Sequence, residues 1–178
     1  MQEREKKIYT IGHSTYSIED FITMLKVHNI GILVDIRRHP GSKRYPHFNK
    51  EFFEQILKEN GIKYQHLEEL GGRRRPKADS INTAWRNLSF RGYADYMETM
   101  EFKDGIEKLT TLADTKPTVY MCSEAVWWSC HRSLVSDYLK IRDWKVMHIM
   151  SKDKLQEHPF TSAAKVSEGQ LFISYSNG

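Results

Sequence analysis

Hydrophobic and polar positions along the chain switch repeatedly between two periods. Short β-branched or aromatic runs alternate with stretches whose apolar residues recur every three or four positions, the spacings of strands and amphipathic helices. Ile8 to Gly12 reads as a strand. Ser17 then caps a helix that carries Glu19 and Asp20 in its first turn and Phe21, Met24, Leu25 and His28 along one face. Gly31 to Ile36, almost wholly apolar, has the composition of a strand buried inside a parallel sheet. Asn49 caps a second helix with the face Phe52, Phe53, Ile56 and Leu57, closed by Asn60-Gly61, and Ile62 to Leu67 is a third strand. An irregular stretch from Gly71 to about Gly92 precedes helical segments through Ala113. Thr118 to Cys122, a helix over 130–142 and Lys145 to Ile149 follow as strand, helix and strand, and a last strand is expected from Gln170 to Tyr175.

Strands and helices in alternation predict one α/β domain over residues 1–178, a mostly parallel sheet flanked by helices on both faces. Such sheets bind ligands at the carboxyl ends of their strands. The chemically unusual segments all follow strands: His13-Ser14 after the first, Asp35 to Asn49 after the second, Glu68 to Pro76 after the third, Cys122-Ser123-Glu124 after the fourth. They are expected to converge on one edge.

Charge sharpens that picture. The net charge is +4, yet residues 37–49 hold Arg37, Arg38, Lys43 and Arg44 with no acid, and residues 71–91 hold six cations against Asp79. The rest of the chain is therefore net acidic, and the two basic segments, rich in Gly, Pro, Asn and aromatic residues, read as loops that meet an anion. No run of 18 apolar residues exists, and the charged opening leads directly into a strand, which predicts a cytoplasmic protein with no membrane contact. Two cysteines are too few for a disulfide framework and are expected as free thiols.

Those thiols lie in Cys122-Ser123-Glu124-Ala125-Val126-Trp127-Trp128-Ser129-Cys130-His131-Arg132. A thiol near a helix start and cationic neighbours is biased toward the nucleophilic thiolate. Cys122 to Arg132 is Cys-x9-Arg and Cys130 to Arg132 is Cys-x-Arg, so neither makes the Cys-x5-Arg loop of phosphatases and sulfurtransferases. The cysteine spacing also lacks the close ligand pairs of a zinc site, and neither a metal nor another cofactor is expected. The Gly-x4-Gly-Lys-Ser/Thr pattern of a P-loop is absent too.

Several of these stretches together resemble the Domain of Unknown Function 488 family: His13-Ser14, Asp35-Ile36-Arg37 to Phe48-Asn49, Leu70-Gly71-Gly72-Arg73, Phe90-Arg91-Gly92-Tyr93-Ala94, Cys122-x-Glu124, Cys130-His131-Arg132 and His158-Pro159-Phe160-Thr161-Ser162-Ala163-Ala164. The resemblance spans nearly the whole chain and implies an α/β fold with clustered Cys, His and Arg, without a reaction to carry over. Trp127-Trp128 stands where relatives often have a Pro-Trp pair.

The leading expectation is a cysteine-dependent hydrolase or transferase acting on an anionic small molecule, a nucleotide or a nucleic-acid component. Cys122 is its nucleophile or redox thiol, with His13, Glu124 and His131 as proton-transfer groups. Arg37, Arg73, Arg91 and Arg132 hold the anion, and Ser14, Asp35, Arg44, Asn49, Gly72, Arg74, Tyr93 and Cys130 complete the site. Two other readings stay open. One is a non-catalytic nucleic-acid-binding module whose Tyr45, Phe48, Trp85 and Phe90 stack on bases; the other is a redox couple between Cys122 and Cys130.

Overall fold

The alternation of periods becomes a six-stranded sheet. The computed structural model describes residues 3–166 and 173–177. Its strands are β1 (Lys7–Gly12), β2 (Ile32–Asp35), β3 (Lys63–His66), β4 (Thr118–Cys122), β5 (Lys145–Ser151) and β6 (Lys154–Glu157), and the helices are α1 (Ile18–Val27), α2 (Lys50–Glu59), α3 (Leu88–Tyr96), α4 (Met100–Thr115) and α5 (Arg132–Lys140). The spatial order is β3-β2-β4-β1-β5-β6. All pairings among β1 to β5 are parallel, and β6 alone runs antiparallel to β5. After β3 the chain turns back, inserting β4 between β2 and β1 and placing β5 beyond β1. That reversal opens a crevice at the carboxyl ends of β1, β2 and β4.

Neighbouring strand residues contribute to different cores, as their alternating side-chain directions require. Ile32, Val34, Tyr120 and Cys122 pack with Tyr93, Phe102, Leu109, Leu134 and Leu139 from α3, α4 and α5. Leu33, Val119 and Met121 pack with Phe21, Leu25, Phe53 and Leu57 from α1 and α2. Ser17 caps α1 as expected, its side chain accepting the Asp20 N–H. In α2 the buried face is Phe53 and Leu57, whereas Phe52 is 50% exposed, so the apolar stripe is narrower than its sequence suggests.

Three boundaries differ from expectation. α3 begins at Leu88, inside the stretch read as irregular, because the Asn87 side chain accepts the N–H groups of Ser89 and Phe90 and caps it. α5 covers Arg132–Lys140 in place of 130–142, since Trp127–Ser129 forms a 3-10 turn that ends at Cys130. β6 was not anticipated: Lys154-Leu155-Gln156-Glu157 has a single apolar residue and is recruited by hairpin pairing to β5, a polar edge strand that discourages further pairing. Of the strand expected at Gln170 to Tyr175, Gln170, Leu171 and Phe172 lie outside the described residues, and Ser174 makes an isolated antiparallel bridge with Lys165.

Candidate active site

The loops that follow β1, β2, β3 and β4 enclose a pocket of about 670 Å3. The β1 loop gives His13 and Ser14, the β2 loop Arg37, Arg38, Arg44 and Tyr45, and the β3 loop Gly72 and Arg73. Cys122, Glu124, Cys130 and His131 come from the segment after β4, and Phe90 and Tyr93 from α3. Eleven of the sequence-derived candidates thus share one cavity: Cys122, His131, Glu124, His13, Ser14, Arg37, Arg44, Gly72, Arg73, Tyr93 and Cys130.

One wall is a closed ionic lattice. Asp35, fully buried, accepts Arg37 Nε at 2.9 Å and Nη2 at 2.7 Å, and also takes the Tyr64 hydroxyl at 2.6 Å. Arg37 Nη2 donates to the Phe48 carbonyl at 2.7 Å, which fastens the 3-10 turn Pro46–Phe48 to β2. Arg37 is therefore neutralised by Asp35 where it lines the cavity. His13 Nδ1–H donates to the Ser14 carbonyl at 2.9 Å, while Nε2 faces Arg37 Nη1 at 3.5 Å and the ring stacks on Phe48. Burial holds its pKa down at about 4, so His13 is neutral with both nitrogens engaged.

The opposite wall carries the thiols. Burial pushes the Cys122 thiol well up, the neighbouring Cys130 thiol pushes it the same way, and Cys122 Sγ lies 4.0 Å from the Glu124 carbonyl. At Cys130 the same burial is outweighed by the bond from Cys122, the Arg132 charge and the Arg132 N–H, which reaches Sγ at 3.5 Å, so its pKa is lowered to about 7. The two thiols are thus pushed in opposite directions, Cys122 up and Cys130 down. His131 Nε2 lies 3.1 Å from the Ile36 carbonyl, an acceptor, so this nitrogen carries the proton. In the neutral ring Nδ1 is then a bare acceptor, 3.5 Å from Cys130 Sγ. Burial lowers the His131 pKa and keeps the ring in that form. Gly72 makes room for the imidazole, for a Cβ there would sit 2.9 Å from Nδ1.

Arg132 is 1% exposed. It donates to the Thr10 hydroxyl at 3.1 Å and to the Glu124 carbonyl at 2.9 Å, and its Nε has no partner among the described residues. Among those residues no carboxylate lies within ion-pair distance of it. It stands behind the cavity, outside the lining. Glu124 thereby serves through its carbonyl, which presses so close to β1 that a Cβ at Gly12 would come within 1.6 Å of it.

Four other candidates also stand outside the lining: Asp35, Asn49, Arg74 and Arg91. The Asn49 side chain accepts the Ser42 N–H at 2.6 Å and shapes the β2 loop. Arg74 stacks 3.7 Å from the Tyr96 ring centroid, and Arg91 Nε donates to the Trp85 carbonyl. Tyr93, though it lines the cavity, is buried with its hydroxyl donating to the Leu70 carbonyl. Cations that do face the cavity are Arg44 and Arg73, both exposed, and Arg38, whose Nη1 donates to the Arg73 carbonyl at 3.0 Å. Arg38 was not among the sequence candidates. Its position directly after Arg37 was the available signal: one of the two neighbours turns inward to Asp35 and the other outward.

No curated protein and no solved structure matches the chain. A family model described as a domain of unknown function, DUF488, matches residues 17–139, well over half of the sequence, from α1 through α4 and into α5. The match ends within α5, beyond the thiol segment, and the chain belongs to the DUF488 family.

Proposed function

We propose that this protein is a cytoplasmic cysteine-dependent hydrolase or transferase acting on an anionic substrate, a nucleotide or nucleic-acid component, with Cys130 as its nucleophile. The observation that carries this reading is Arg132. A guanidinium this buried with no carboxylate beside it needs an anion, because an unpaired buried charge is expensive. The Cys130 thiolate supplies that anion. His131 Nδ1 accepts the thiol proton and returns it to the leaving group when sulfur attacks the electrophilic centre, the general role of a base paired with a nucleophile. Arg38, Arg44 and Arg73 hold the anionic part of the substrate, and Tyr45 and Phe90 offer ring faces to a planar part. The frame behind the pocket is read as a sheet flanked by helices on both faces, an arrangement supported by the division of strand side chains between two cores.

Alkylation with iodoacetamide tests the assignment. Cys130 is expected to react at neutral pH, its rate rising with pH through about 7 as the thiolate forms, while Cys122 is labelled only after denaturation. Cys130→Ser abolishes the fast labelling and Cys122→Ser retains it. Fast labelling of Cys122 in the native protein, or a Cys130 that reacts only above the ordinary thiol range, sinks the assignment.

A second reading has one observation in its favour. Arg75, Lys77 and Arg86 are exposed in the stretch that continues from Arg73 toward α3, outside the pocket lining. A polymeric nucleic acid would use that basic extension, whereas a small anion would not reach it.

A further inference from the structure

Behind the thiols a file of buried polar groups leads from Arg132 into the protein. Arg132 Nη1 donates to Thr10 Oγ1 at 3.1 Å, Thr10 Oγ1 lies 2.5 Å from His148 Nδ1, His148 Nε2 lies 2.8 Å from His158 Nδ1, and His158 Nε2 lies 2.8 Å from Asp137 Oδ1. Thr10, His148, His158 and Asp137 are all at most 1% exposed, and none lines the pocket. We propose that Thr10, His148, His158 and Asp137 form a positioning relay that fixes the Arg132 guanidinium against the two thiols and so sets how readily Cys130 ionises. This rests on the thiolate reading of Cys130 given above.

One arrangement of the donors satisfies every link while each imidazole carries a single proton. An ionised carboxylate only accepts, so His158 Nε2 carries a proton toward Asp137. With a single proton on His158, the other nitrogen, Nδ1, is an acceptor, which His148 satisfies with its own Nε2–H. His148 Nδ1 accepts in turn, and the Thr10 hydroxyl proton fills it. The Thr10 oxygen is left with lone pairs for Arg132, which has no acceptor of its own. Moving either imidazole's proton to its other nitrogen sets two bare nitrogens or two N–H groups against each other. Burial foremost, with the Arg132 charge beside it, lowers the His148 pKa to about 2, so His148 stays neutral.

The far end is anchored by the sequence motif that the pocket leaves unused. Asp137 also accepts the Thr161 N–H at 2.9 Å, the Thr161 hydroxyl at 2.6 Å and the Tyr175 hydroxyl at 2.8 Å. His158 and Thr161, both from His158-Pro159-Phe160-Thr161, thus converge on one carboxylate. Trp127, from the segment between the two cysteines, stacks on His148 with ring centroids 4.8 Å apart, so the thiol loop is pinned to the same relay.

The ionisable groups facing Cys130 are Cys122 and Tyr120 of β4, Tyr93 of α3, and His131 and Arg132. Substitution at Thr10 replaces none of them. The test is the pH profile of iodoacetamide alkylation, followed by mass spectrometry on the Cys130 peptide, for wild type, Thr10→Val and Thr10→Ser, with thermal melting of each. Thr10→Val removes the acceptor of Arg132 Nη1, so its midpoint is expected to rise by about one unit, a roughly tenfold slower reaction below the midpoint. Thr10→Ser keeps the hydroxyl and restores the wild-type midpoint. A Thr10→Val protein that melts lower but keeps the wild-type midpoint overturns the relay while leaving Cys130 as nucleophile. A wild-type midpoint in the ordinary thiol range overturns the nucleophile assignment, and the relay with it. Nitrogen NMR of the unaltered protein needs no variant: His148 is expected neutral with its proton on Nε2, and a proton on His148 Nδ1 overturns the relay.

Discussion

Gly72 shows how finely the candidate site depends on single atoms. The chain passes so close to the His131 ring that a methyl group at residue 72 would meet Nδ1 at 2.9 Å and Cγ at 3.2 Å. Nδ1 is the atom that faces Cys130 Sγ, so any shift of the ring opens the thiol–imidazole contact before it disturbs the core. Gly72→Ala is therefore expected to slow Cys130 alkylation at pH 7 by roughly ten- to a hundredfold, the scale of a misplacement near 1 Å. Its melting temperature should change little, because residue 72 packs against the half-buried His131. Unchanged alkylation in a folded Gly72→Ala protein would show that His131 takes no part in activating the thiol.

Among the elements, the stretch between β3 and α3 raises the question of how a segment without strand or helix keeps one shape. Asp95 of α3, only 4% exposed, accepts the Lys77 N–H at 2.8 Å, the Ser80 hydroxyl at 2.7 Å and the Asn82 amide at 2.7 Å. One carboxylate thus stands in for the backbone ladder that residues 77–82 lack. Asp95→Ala strands those donors and is expected to cost about 3 kcal/mol and to expose the stretch to proteolysis between Arg75 and Arg86. Equal protease resistance and an unchanged denaturation midpoint in the variant would assign the order of the loop to something else. Elements with a strong local signal were legible in the sequence: the apolar run of β2, the Ser17 cap of α1, and the strand-end rule that gathers His13, Arg73 and both cysteines. Asn87 carried a cap signal of the same kind, masked by the Arg, Gly and Pro around it. What stayed illegible depends on side-chain directions that sequence spacing does not set. Cys122 and Cys130 are pushed apart in acidity by their contact with each other, Arg132 favouring the thiolate at both, and Arg37 is neutralised by Asp35 two residues earlier, a pairing that strand alternation alone does not reveal.

At the scale of the whole molecule, the positive charge that composition places in two loops divides into three fates. Arg37 is neutralised by Asp35, Arg74 stacks on Tyr96 and Arg91 is tied to the Trp85 carbonyl, and Arg38, Lys43, Arg44, Arg73, Arg75, Arg86 and Lys77, the last 3.9 Å from Glu98, remain for an external anion. The last group decides between a small anion and a polymer, since Arg38, Arg44 and Arg73 line the pocket whereas Arg75, Lys77 and Arg86 lie outside it. Each phosphate contact in a polymer complex releases counterions, so the logarithm of the binding constant falls with the logarithm of salt by roughly one unit per contact. Binding of short single-stranded DNA, followed by fluorescence anisotropy across a salt series, reads that slope directly. For an enzyme of small anions, the intact protein should bind the oligonucleotide weakly, and Arg75→Ala with Arg86→Ala should change nothing. For a nucleic-acid module, the same pair should flatten the slope by about two units while Arg73→Ala flattens it by about one. The proposed reading expects the first pattern, with Arg73→Ala weakening the capture of a mononucleotide in the pocket; tight oligonucleotide binding that loses two units of slope with Arg75 and Arg86 would move the assignment to the polymer.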